Sequence, residues 1–139
     1  MDRIQRKKIL IIDDEKKYGE VLKLCLEKFD FYRVDVCTNG LDGLEKLGRG
    51  KYDLVILDIL MPKMEGHEVL EQIKVLCDTP VIILSAFLPP LMEKEVIRRG
   101  AFACLRKPVE IEQIILVIHR AFSIEHEASR KTFPLTPPS

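Results

Sequence analysis

The stretch ILIIDD, residues 9–14, decides the fold: four uninterrupted apolar residues, Ile9 to Ile12, run straight into two carboxylates, Asp13 and Asp14. A strand with one wet face alternates apolar and polar residues, whereas a continuous apolar run suits a central strand covered on both faces. Runs of the same kind occur at Leu54 to Leu57 and Val81 to Leu84, with a less uniform one at Val34 to Cys37 and a shorter candidate at Ala103 to Leu105. Helical periodicity separates them. The spacing predicts inward stripes of Tyr18, Val21, Leu22, Cys25 and Phe29 in a first helix and of Leu41, Leu44 and Leu47 in a second. A third helix fits Met64 to Leu76, with Val69, Leu70 and Ile73 inward, and a fourth fits Leu91 to Arg99, entered through Pro89 and Pro90 and closed by Gly100. Ile111, Ile114, Ile115, Ile118 and Phe122 form the buried face of a fifth.

Five strands alternating with five helices imply right-handed crossovers and a parallel sheet with helices on both faces. The expected class is α/β, a doubly wound, flavodoxin-like sheet in the order 2-1-3-4-5. At 139 residues the chain is the size of one domain. We place that domain at residues 1–128 and a flexible tail or linker start at 129–139, where Pro134, Pro137 and Pro138 end the periodicity.

Composition narrows the function. Hydrophobic residues make up 47% of the chain and charged residues 32%, a soluble globular balance, and no apolar run is long enough to cross a bilayer. Lysine plus arginine equals aspartate plus glutamate, 22 against 22, so the chain alone lacks the basic footprint of a nucleic-acid binder. No signal-peptide core follows Met1 to Lys8, which predicts a cytoplasmic protein. Cys25, Cys37, Cys77 and Cys104 lack metal or dithiol spacing and read as reduced, buried thiols. His67, His119 and His126 are equally scattered and read as surface or helix residues.

Open parallel sheets bind ligands beyond the carboxyl ends of their strands, where strand order reverses. On that rim the expected topology gathers Asp13 and Asp14 after strand one, Asp58 after strand three, Ser85 after strand four, and Lys107 with Pro108 after strand five. A lone aspartate there would be read as a helix cap. Three together repel, at about 4 kcal/mol per pair near 4 Å and an effective dielectric of about 20, so they call for a cation. Oxygen-only donors favour Mg²⁺ or Mn²⁺. Such a site makes a carboxylate a plausible nucleophile toward phosphorus, provided positive charge, part of it from Lys107, offsets the phosphoryl oxygens. The Ser85 hydroxyl can then hydrogen-bond the phosphoryl group, small Ala86 leaves room, and Pro108 permits a cis turn that aims Lys107 inward.

With those residues assembled, the chain from about Lys8 to Arg120 resembles the response regulator receiver domains of two-component systems, including the chemotaxis receiver. The matching parts are Asp13 with Asp14, the stretch Asp58-Ile59-Leu60-Met61-Pro62-Lys63-Met64-Glu65-Gly66, Ser85 with Ala86, Gly100 with Ala101, and Lys107 with Pro108. The resemblance implies that Asp58 is the phosphoacceptor and that Asp13, Asp14, Asp58 and the Leu60 carbonyl ligate the metal. It further implies that Ser85 and Lys107 contact the phosphoryl group and that a histidine kinase or phosphotransfer protein is the donor. A downstream target or fused output domain would read the face of helix four, strand five and helix five. A receiver of this kind catalyses its own phosphorylation and dephosphorylation. The chain departs from the pattern at Cys104, which stands where the family carries a switching aromatic; Phe102, on the same side by strand alternation, is a weak substitute. Apolar Leu60 offers an attacking water no hydrogen bond, which predicts a slowly hydrolysing aspartyl phosphate.

Rival readings fare worse on the residues. A haloacid-dehalogenase-type phosphatase needs a second aspartate where Leu60 stands, and a dinucleotide site needs G-x-G-x-x-G where Asp13 and Asp14 stand. The alternative kept open is a pseudo-receiver, a protein-interaction module independent of phosphorylation.

Overall fold

The computed structural model describes residues 6–59 and 66–132. Strands β1 (Lys7–Ile12), β2 (Tyr32–Cys37), β3 (Leu54–Leu57), β4 (Val81–Ser85) and β5 (Ala103–Arg106) alternate with helices α1 (Lys16–Glu27), α2 (Gly40–Arg49), α3 (Gly66–Leu76), α4 (Pro90–Arg98) and α5 (Ile111–Thr132). The strands form one sheet in the order β2-β1-β3-β4-β5, and every neighbouring pair is parallel.

Each central strand divides its side chains between two cores. Ile9 and Ile11 of β1, with Ile56 of β3 and Ile82 of β4, pack under Leu22 and Leu26 of α1 and Ile114 and Ile118 of α5. Leu10 and Ile12, with Val55, Leu57 and Ile83, pack under Leu47 of α2, Val69, Leu70 and Ile73 of α3, and Val96 of α4. This double coverage is why the runs are continuously apolar. Each such side chain contributes roughly 1.5–3 kcal/mol of burial free energy, so the sheet is the rigid part on which the rim residues stand.

The helix faces depart from the periodicity reading. Val21 and Leu41 point to water, while Gly19 and Gly43 are buried beside Leu22 and Leu47. Glycine lets these two helices lie close on the sheet: a Cβ at Gly19 would fall 2.8 Å from Val36 Cγ1, and one at Gly43 would collide with Ile12 Cδ1. Phe29 is also partly exposed and leans on Phe31 and Tyr32 instead of filling the helix stripe.

Helix α4 starts at Pro90, one residue earlier than expected, and ends in a turn whose Gly100 has φ 113°, as its predicted role in closing the helix requires. Gly100 N–H donates to Ile97 O at 3.0 Å and Ala101 N–H to Val96 O at 2.9 Å. Helix α5 continues four residues past Ala128, to Thr132. Of the four free cysteines, Cys37 is buried and Cys25, Cys77 and Cys104 are half-buried, less enclosed than expected. His119 is exposed as expected. Residues 60–65, which hold the predicted start of the third helix and Leu60, and residues 133–139 lie outside the described residues.

Candidate phosphoryl-transfer site

The sheet order reverses between β1 and β3, and the backbone brings the ends of those strands together. Asp13 N–H donates to Cys37 O at 3.0 Å and Asp58 N–H to Ile12 O at 2.9 Å, so both aspartates extend the ladder by one residue. Their side chains are turned inward and buried, at 2% and 5% residue exposure, while Asp14 faces water. One oxygen from each of Asp13, Asp14 and Asp58 lies within 4.8 Å of the other two.

Lys107 enters from the far side of the sheet. Its N–H bonds to Ser85 O at 2.9 Å, and the Lys107–Pro108 peptide is cis, as the turn was expected to allow. The ammonium donates to Asp13 Oδ2 at 2.7 Å and lies 3.6 Å from Asp58 Oδ2 and 3.5 Å from Glu15 Oε1. Burial works against its charge. The Asp13 hydrogen bond and the charges of Asp13 and Asp58 outweigh that, and the net effect raises its pKa above the ordinary lysine value.

One ammonium cannot balance three carboxylates, and the excess of two negative charges among oxygen-only donors fits a hard dication of the magnesium class. The set contains no thiolate or imidazole that would favour a softer metal. Asp13 Oδ1 also accepts Glu15 N–H at 2.9 Å, which fixes the carboxylate's rotation.

Ser85 is fully buried at the end of β4. Its Oγ donates to Phe87 O at 3.2 Å and accepts Phe87 N–H at 3.4 Å, which turns the hydroxyl into its own loop. Ala86 beside it is exposed. Thus Asp13, Asp14, Asp58, Ser85, Lys107 and Pro108 gather on one rim as the topology required, and Leu60 alone of the proposed metal ligands falls outside the described residues.

Cys104 packs against the core of α2, α3 and α4, and burial, with the Glu93 charge adding and Arg106 opposing, pushes its thiol up to about 11. Phe102 packs into the opposite core, under α1 and α5. This corrects the alternation argument: Phe102 precedes the first residue of β5, where the strand's two-residue repeat does not apply, and it does not share a face with Cys104. Three participants were not singled out from the sequence as site residues. Glu15 reaches Lys107; the Tyr18 ring lies with its centroid 4.0 Å from Lys107 Nζ; and Arg106 bonds Leu88 O at 2.6 Å and Glu93 Oε1 at 3.1 Å, tying β5 to the loop and helix that follow Ser85. The available signal was position alone, since Glu15 and Tyr18 closely follow the acidic strand end.

A model of the response regulator receiver domain family matches residues 9–119. Among curated proteins, the chain is 39% identical over 114 residues to the transcriptional regulatory protein YkoG of Bacillus subtilis, covering 81% of this chain and 50% of that protein. It is 35% identical over 108 residues to the response regulator ArlR of Staphylococcus saprophyticus, covering 78% and 49%. The chain therefore spans about half the length of these relatives. Among solved structures, a CheY-like receiver domain protein from Methanospirillum hungatei superposes with a TM-score of 0.83 at 29% identity, over 88% of this chain and 99% of that one. No helix among the described residues is long and apolar enough to cross a membrane.

Proposed function

The chain belongs to the response regulator receiver domains of two-component systems, and from that premise we propose that it accepts a phosphoryl group on the Asp58 carboxylate from a histidine kinase or a phosphotransfer protein. The observation that carries this reading is the burial of Asp58 within 3.6 Å of a lysine that also bonds Asp13. A carboxylate oxygen of Asp58 attacks phosphorus, the bond from phosphorus to the donor atom breaks, and the donor leaves with the bonding pair. Asp13, Asp14 and Asp58, with the Leu60 carbonyl, would hold the Mg²⁺ ion typical of the family, which supplies positive charge to the phosphoryl oxygens.

Lys107 supplies the remaining charge from a fixed position, because its ammonium is already held between Asp13 and Asp58. Ser85 Oγ gives up its two bonds to the Phe87 backbone and donates to a phosphoryl oxygen, and Ala86 leaves space for that approach. The movement is passed to the face of α4, β5 and α5, where Arg106 grips the Leu88 carbonyl and Glu93. Cys104 offers no ring to rotate there, so we assign the transmission to the loop itself. Leu60, two residues after Asp58 in the sequence, has no polar side chain to offer an attacking water, and the aspartyl phosphate should persist for minutes or longer.

Intact mass after incubation with Mg²⁺ and a small phosphodonor tests the reading. One added phosphoryl group, absent in Asp58→Asn, is expected. No adduct on the wild-type chain would leave a phosphorylation-independent interaction module.

A further inference from the structure

We propose that Tyr18 is a positioning residue for phosphoryl transfer, its ring face holding the Lys107 ammonium in place while the lysine exchanges its anionic partners; this rests on Lys107 acting as described above. Tyr18 lies in the first turn of α1, and the Lys107 Nζ sits 4.0 Å from its ring centroid, well inside the range at which a cation is drawn to the ring quadrupole. Such attraction strengthens when the pair is withdrawn from water. Here the lysine side chain is 8% exposed and the tyrosine is half-buried.

The ring solves a problem that the carboxylates cannot. Before reaction the ammonium is held by Asp13 Oδ2 at 2.7 Å and faces Asp58 Oδ2 at 3.6 Å. Both contacts change when the Asp58 carboxylate becomes an acyl phosphate and new oxygens arrive, and Glu15, the third acceptor, is largely solvated. A lysine on a flexible four-carbon stem would then have to find its new partner during the reaction. The tyrosine face attracts the ammonium through the ring quadrupole and so does not depend on which carboxylate or phosphoryl oxygen the lysine bonds. The ring stays where packing puts it, against the α1 and α5 core, whichever oxygen the ammonium bonds.

The role belongs to the ring and not to its hydroxyl, which gives a test that packing alone does not pass. Tyr18 is replaced by Phe, by mono-, di- and trifluorophenylalanine, and by Leu, and the rate of phosphorylation by a small phosphodonor is measured at saturating Mg²⁺, with Lys107→Met as control. Fluorination drains the ring face at almost constant shape. Tyr18→Leu should slow the reaction about three- to tenfold, Tyr18→Phe should rescue most of that loss, and the rate should fall with each fluorine toward the Leu value. A flat fluorine series beside a slow Lys107→Met overturns the role of Tyr18 alone. A Lys107→Met rate equal to wild type overturns it together with the reading on which it rests.

Discussion

Two clusters of opposite charge sit on this domain, and they differ in what surrounds them. Around Lys107, the side chains of Asp13, Asp58 and the lysine itself are 3%, 6% and 8% exposed, and they stand on strand ends fixed by the sheet. Around Glu95, Arg98 and Arg99 bond the same carboxylate, and Arg99, just past the end of α4, reaches on to Glu71 of α3, with side chains 30% to 74% exposed. Water screens the second cluster, so its pairs hold little energy, whereas the first cannot relax into solvent and its excess negative charge creates a demand for a cation. Both clusters pair carboxylates with cationic side chains, and the difference in chemistry follows from the environment.

The largest expected effect lies in the buried cluster. Lys107→Met should lower the rate of phosphorylation by a small phosphodonor by roughly two orders of magnitude, the usual consequence of removing one preorganised source of positive charge. Arg99→Met in the surface cluster should leave the rate within about twofold. Comparable losses from the two variants would erase the distinction drawn between them.

A smaller effect tests the support beneath the buried cluster. A methyl at Gly43 meets Ile12, the residue before Asp13, whereas a methyl at Gly48 meets nothing. Gly43→Ala should destabilise the fold by about 1–3 kcal/mol in urea unfolding. Gly48→Ala, near the end of the same helix, should be neutral or stabilising by up to about 1 kcal/mol. Equal values would mean that α2 is not pressed on the strand.

The smallest effect belongs to the surface cluster. The hydrogen bonds from Arg98 and then Arg99 hold the Glu95 carboxyl down to about 2, below its ordinary 4.5. A carboxyl lowered on folding contributes stability above its unfolded pKa and loses it as pH falls toward the folded one. The melting temperatures of wild type and Glu95→Gln should therefore differ slightly at pH 7 and converge between about pH 4.5 and 2. Concentrated salt at pH 7 should bring the same convergence. A difference that survives both treatments would show that the cluster is not screened.

How much of this was legible in the sequence follows from what each residue type announces. Continuous runs such as Ile9 to Ile12 named the central strands, and the polar residues that end them named the rim, because a carboxylate directly after such a run has few other places to go. The helix faces were less legible. Gly19 and Gly43 carry no hydrophobic signal yet lie against the sheet, and apolar Val21 and Leu41 face water in their place. Tyr18 read as one more stripe residue, since no periodicity says which lysine from the far end of the chain will meet its ring. The face of Phe102 differs from the sequence reading because strand alternation does not extend to the residue before β5.

The central claim, that the rim of β1 and β3 makes Asp58 a phosphorus nucleophile, is tested most directly by locating the bond. The protein is incubated with Mg²⁺ and a small phosphodonor, trapped by borohydride reduction, which converts an aspartyl phosphate to homoserine, and mapped peptide by peptide. The account predicts homoserine at position 58 and nowhere else, lost when Mg²⁺ is chelated beforehand. Conversion at Asp13 or Asp14, or none with the metal present, would contradict it.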